Sequence, residues 1–284
     1  LSIAKASTTT RATAPQSERF GKDIMVKTAV SSSTGTTPTG DVTLTEGPAS
    51  LDARALADGT VTLTAEALSI GKHRLTATFA GDANHTGSTT TVEVTILRGV
   101  QPITATVKSS TYGTSAVMHV TGPAGAAGTV YVGNGNDVVG AGTMAGGAAS
   151  FLLDKTLLPG TYVLDVYYGG DASFEPATTS VDLTVDRATT ALTKGTSTSR
   201  IVVNATRAKV RFTVTAPGFT VAGGTVRVYS GTTLVGKGTV VRGRATARMS
   251  RFTSTGTKTL VAKYSGNEVA KESTRSFTLK VVRR

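Results

Sequence analysis

The side chains here that could do chemistry are few. Three histidines are present, His73, His85 and His119, and there is no cysteine. The absence of cysteine excludes thiolate zinc sites, cysteine nucleophiles and disulfides. Serines and carboxylates are plentiful, but no Gly-x-Ser-x-Gly marks a nucleophile, and a triad is a geometry that spacing alone does not supply. His119 alternates outward between Met118 and Val120 and reads as a solvated side chain. No cluster of histidine and carboxylate has transition-metal spacing. We expect no enzyme, no catalytic residue, no cofactor and no metal.

Two other patterns carry oxygen or charge. Gly81-Asp82-Ala83-Asn84 returns as Gly170-Asp171-Ala172-Ser173. Calcium takes six to eight oxygens, whereas each turn offers one or two. The expected role is therefore an Asx turn, with the carboxylate accepting backbone N–H groups. Charge is divided very unevenly. Residues 1–98 hold 9 basic and 9 acidic residues; residues 99–186 hold 2 and 7, net −5; residues 187–284 hold 19 and 2, net +17. The chain's +12 thus belongs to its last third. Charge of this kind bears on partners and solubility, not on fold.

The elements behind these groups repeat. The turn anchors Phe79, Tyr168 and Tyr264 lie 89 and 96 residues apart. A second anchor, Gly40-Asp41-Val42, Gly128-Thr129-Val130 and Gly224-Thr225-Val226, is spaced by 88 and 96. Three units of roughly 90 residues follow. Within each, apolar side chains recur at every second position, as in Leu75, Ala77 and Phe79 or Val210, Phe212 and Val214. That is the period of half-buried strands. No helical period is sustained. The expected fold is all-β: three tandem antiparallel sandwiches of about seven short strands each. The expected divisions are 1–98, 99–186 and 187–284, with residues 1–4 as the tail of a preceding unit. Linkers of a few residues predict an elongated rod.

The motifs Phe20-Gly21, Pro38-Thr39-Gly40-Asp41-Val42, Leu68-Ser69-Ile70-Gly71-Lys72-His73 and Phe79-Ala80-Gly81-Asp82-Ala83-Asn84 resemble bacterial Ig-like domain repeats. The second unit matches through Tyr112-Gly113, Leu158-Pro159-Gly160-Thr161-Tyr162 and Tyr168-Gly169-Gly170-Asp171. The third departs from the pattern, with Asn267 for the turn Asp and no aromatic-Gly pair. The resemblance implies Ig-like sandwiches without catalytic residues, on a secreted or surface-attached bacterial protein.

Strand alternation turns Lys209, Arg211, Arg244 and Arg248 outward on one sheet of the third unit, and Arg227, Lys263 and Lys280 outward on the other. The expectation is a basic shell contacting an anionic cell-wall polymer or surface polysaccharide. Nucleic acid is not expected, because no stacking platform or groove-reading helix accompanies the charge. In the second unit Tyr131 and Tyr167 face outward on paired strands, a candidate sugar-stacking pair or a cross-strand aromatic contact. The functional expectation is a structural stalk, outside the cell or on its surface, with further Ig-like units upstream. The alternative is a ligand-binding adhesin or the accessory module of an extracellular hydrolase. No run of about 18 apolar residues is present, so no membrane-spanning helix is expected.

Overall fold

A computed structural model describes residues 4–284. Leu1–Ile3, read above as part of a preceding unit's last strand, lie outside the described residues. The secondary structure of the described residues is entirely strand and turn. Eight strands recur three times. The first set is β1 (Thr8–Thr13), β2 (Ser17–Arg19), β3 (Ile24–Ser32), β4 (Asp41–Glu46), β5 (Ala49–Ala55), β6 (Thr60–Ala65), β7 (Gly71–Phe79) and β8 (Ser88–Leu97). The second is β9 (Thr104–Val107), β10 (Ser110–Thr111), β11 (Val117–Thr121), β12 (Gly128–Asn134), β13 (Asp137–Met144), β14 (Ala148–Leu152), β15 (Gly160–Tyr168) and β16 (Ala177–Asp186). The third is β17 (Ala191–Ser197), β18 (Ile201–Val202), β19 (Lys209–Thr215), β20 (Thr225–Ser230), β21 (Thr233–Thr239), β22 (Arg244–Met249), β23 (Gly256–Tyr264) and β24 (Ser273–Val282).

Strand order also repeats. The first set forms a three-stranded sheet, β1-β3-β6, and a five-stranded sheet, β2-β8-β7-β4-β5. The second does the same with β9-β11-β14 and β10-β16-β15-β12-β13. The short strands β2, β10 and β18 each run parallel to the last strand of their set, and the remaining pairings are antiparallel. Alternation places Val26, Leu44, Leu75 and Phe79 in the first core, fully excluded from solvent. Met118, Val130, Val166 and Tyr168 fill the second core, and Val210, Phe212, Val226 and Tyr264 the third. Three hydrophobic cores result, each between the two inward faces of one set.

The third set differs from the expected pair of separate sheets. Its strands form one eight-stranded sheet, β17-β19-β22-β21-β20-β23-β24-β18. The joint is the pairing of Gly236 with Met249 and Lys237 with Arg248. The backbones meet closely beside this joint, where a Cβ at Gly238 would collide with the Thr246 carbonyl.

Candidate functional site

The turn acids are structural. Asp82 accepts the N–H groups of Asn84 and His85 on Oδ1 and that of Thr39 on Oδ2. The Thr39 amide, then the His85 ring and the Asn84 and His85 amides, hold the Asp82 carboxyl far below the usual carboxylate range, against the cost of burial. Asp171 repeats the geometry with Ser173, Phe174 and Ala127. Burial opposes its ionisation, but the Ala127, Ser173 and Phe174 amides overcome this and its pKa falls. Asn267 fills the same role in the third unit. Its Oδ1 accepts the Val269 and Ala270 amides, while Nδ2 donates 2.6 Å to the Ala222 carbonyl. The departure from the pattern noted at Asn267 thus keeps the turn: the amide replaces the carboxylate because the facing backbone group is a C=O rather than an N–H.

Each turn also grips the chain that leads into its unit. Ala6 donates to the Asn84 carbonyl and accepts from the Thr86 amide, both at 2.9 Å. Gly99 does the same with Ser173 and Glu175, and Ala188 with Val269 and Lys271. A basic residue precedes each gripped residue. Lys5 Nζ donates to the Asp82 carbonyl, Arg187 to the Asn267 carbonyl, and Arg98 forms an ion pair with Glu175 at 3.0 Å. The dipeptides Lys5-Ala6, Arg98-Gly99 and Arg187-Ala188 were visible in the sequence, but their partners lie about 80 residues away, beyond the reach of a local reading.

The aromatic-Gly pairs meet the next unit. Phe20 packs edge-on against Phe174, ring centroids 5.6 Å apart, and touches both the first and the second core. Tyr112 packs edge-on against Phe219 at 4.8 Å. Gly113 has φ +87°, and a Cβ there would stand 2.7 Å from the Pro217 carbonyl oxygen. In the third unit the same place holds Val203-Asn204, with Asn204 at φ +56°. Asn is the commonest substitute for Gly in that conformation.

The histidines are of two kinds. His119 is exposed, with Nδ1 2.8 Å from Ser150 Oγ. His73 and His85 are buried. His73 sits between Glu46 and the Ser69 carbonyl, 2.7 Å from each. His85 contacts Asp82 through Nδ1 and Thr36 Oγ1 through Nε2, each at 2.8 Å. Thr36, His85 and Asp82 thus line up in the order of a hydroxyl-imidazole-carboxylate triad, which the sequence did not suggest. Asp82 nevertheless holds the same amides as Asp171, whose unit has Phe174 in the place of His85. The array is the turn's own bracing, with an exposed threonine at its end.

The basic candidates occupy defined rows. Lys209 stands opposite Arg248, Arg211 opposite Thr246 and Arg244 opposite Thr213. Arg227 stands opposite both Lys237 and Lys263. Lys280 lies opposite Thr257, away from this group. Because β21 joins β22, Lys209, Arg248, Lys237, Arg227 and Lys263 form an unbroken row across five strands, running around the edge of the sandwich from one outward face to the other. All five are exposed, and among the described residues no salt bridge involves the third unit. The corresponding row of the second unit is apolar: Val117 faces Leu152, and Tyr131 faces Ala141 and Tyr167. Tyr131 and Tyr167 are each 44% exposed. In the first unit the row is Met25, Thr64, Ala53, Thr43 and Thr78.

Residues 9–97 match the family model described as bacterial Ig-like domain (group 3). A search of the curated proteins finds no match. Among solved structures, the chain is similar to the ICAM-5 D1–D4 ectodomain fragment, with 16% identity over 96% of this chain and 76% of that one, TM-score 0.38. It is also similar to the fibronectin(III)-like modules of Clostridium thermocellum CbhA, 16% identical over 63% of this chain and 94% of that one, TM-score 0.27. Titin domains z1z2 in complex with telethonin match at 16% identity over 65% of this chain and 98% of that one, TM-score 0.34.

Proposed function

We propose that this chain, whose residues 9–97 form a bacterial Ig-like domain, is a non-catalytic spacer of three units, divided at 98/99 and 186/187, outside the cell or on its surface. The observation that carries the reading is the repeated grip on Ala6, Gly99 and Ala188. Two backbone hydrogen bonds fix each linker to the unit that follows it, and an aromatic contact fixes each unit to the next. A chain so held transmits length and direction, which a spacer needs and a set of freely tumbling modules lacks. The basic third unit is its polymer-contacting part.

Small-angle scattering on the whole chain tests this. A strand of nine or ten residues is about 30 Å long, so three units end to end exceed about 90 Å. Gly113→Ala, which collides with Pro217, should broaden the distance distribution at the second joint. A radius of gyration near ~19 Å, expected for one globule of this length, would overturn the reading.

The apolar row of the second unit favours a second reading, a module that stacks sugar rings on Tyr131 and Tyr167. Saturable binding to an oligosaccharide panel, lost in Tyr131→Ala, would support it.

A further inference from the structure

We propose that Lys209, Arg248, Lys237, Arg227 and Lys263 form a binding track for a linear, non-nucleotide polyanion. This deepens the reading of the third unit as the polymer-contacting part of the spacer.

The row is expensive for the fold. Like charges directly opposite one another on neighbouring strands destabilise a sheet, and this row contains four such pairings in succession, one each on β19–β22, β21–β22, β20–β21 and β20–β23. The scaffold does not require basic residues there. The first unit builds the same row from Met25, Thr64, Ala53, Thr43 and Thr78, the second from Val117, Leu152, Ala141, Tyr131 and Tyr167. The acids of the third unit, Glu268 and Glu272, lie in the turn after β23, and neither forms a salt bridge among the described residues. An external anion would offset the repulsion.

The shape suits a chain rather than a single ion. Strands in a sheet are about 4.8 Å apart, so the five positions follow a curved path of about 19 Å around the edge of the sandwich, which a flexible chain can trace. The pairing of Lys237 with Arg248 makes the row continuous across what are two sheets elsewhere in the chain. Beside it runs a second row, Arg211, Thr246, Thr239 and Thr225, whose hydroxyls can donate to anionic oxygens. Lys209, Arg211, Arg248, Thr239 and Thr246 line an open concavity of about 680 Å³ along this edge.

The same surface argues against nucleic acid. Sequence-tolerant binding of single strands relies on exposed aromatic faces. Tyr229 is the aromatic side chain beside the row, and it is half-buried with Lys263 Nζ 5.6 Å above its ring. The track therefore reads charge spacing, as on a polyol phosphate or an acidic polysaccharide, and not bases.

The test is binding of the whole chain to poly(glycerol phosphate) and to polygalacturonate at several salt concentrations, with single-stranded oligonucleotide alongside. Five neutralised charges predict a slope of log K against log salt of about −3.5, if counterion release follows the single-strand relation. Replacing the five row residues by Thr should reduce affinity at low salt more than 100-fold and flatten the slope. Removing equal charge at Lys194, Lys271, Lys280, Arg283 and Arg284 should cost under tenfold. Lys237→Ala alone should lower the slope by about 0.7, which keeps the test open if the fivefold variant misfolds. Preference for the phosphate or the uronate polymer identifies the anion. Equal losses in the two fivefold variants, or oligonucleotide binding as tight as either polymer, would overturn the track. Absence of wild-type binding at low salt would overturn polymer contact altogether, while the scattering measurement still decides the spacer.

Discussion

Lys237 pairs directly with Arg248, and that pairing closes the two sheets of the third unit into one. On its other side Lys237 pairs with Arg227. A single lysine thus lies between two guanidinium groups at the seam of the unit, where the first and second units carry Ala53 and Ala141.

Lys237→Ala should stabilise the third unit at low ionic strength. Two like-charge pairs are removed, each worth about 0.2–1 kcal/mol, and Ala already fits this position in the other units. Calorimetry on the whole chain should show the transition of the third unit as the first to melt at low salt in the wild type, and moved upward in the variant. At 1 M salt, where the screening length is about 3 Å, the difference should vanish. A variant less stable than wild type at low salt would contradict this.

Asn267→Asp tests the third unit's turn from the other direction. It lowers the unit's net charge, which alone favours stability. It also sets a carboxylate against the Ala222 carbonyl and removes the donor that satisfies it. The local loss should dominate, at about 1–3 kcal/mol, lowering the melting temperature of the third unit by several degrees per kcal/mol. A raised melting temperature would mean that net charge outweighs the turn.

Acid should act on the first and second units, and alkali on the second and, through the Tyr264 hydroxyl that burial pushes up, the third. Asp82 and Asp171 have pKa values below 3.8 in the fold, so their stabilisation is present above that value and is lost as pH falls through the folded-state values. Asn267 does not titrate, and its turn should survive acid. Burial, followed by the Asp171 hydrogen bond and charge, pushes Tyr168 up to about 12. Its contribution is full below pH 10 and fades between 10 and about 12. The first unit has Phe79 in this place and should not share that alkaline loss. Circular dichroism across pH on Asp171→Asn and Tyr168→Phe would separate the two effects; an unchanged alkaline midpoint in Tyr168→Phe would rule out the second.

Phe20→Ala should couple two units in one measurement. Phe20 packs on both the first and the second core, so its loss should lower both transitions, by a total of about 2 kcal/mol for a half-buried aromatic. Val203→Ala, at the equivalent place in the third unit, packs only on the third core and should move only that transition. A Phe20→Ala variant with an unshifted second transition would mean that the joint carries no energy.

The sequence by itself determined the strands, the threefold repeat and which side chains face inward, because a period of two and a repeated anchor are local or simply periodic signals. It also determined that Lys209, Arg248, Arg227 and Lys263 face outward, since their apolar neighbours must face the core. Only the tertiary structure decided that these residues are consecutive neighbours in one row. That depends on the pairing of β21 with β22, which brings Lys237 opposite Arg248 and which the same alternation leaves unmade between β13 and β14. The grips on Ala6, Gly99 and Ala188 were hidden for the same reason: a backbone hydrogen bond has no side-chain signature, so its partner about 80 residues on becomes visible only once the chain has folded back.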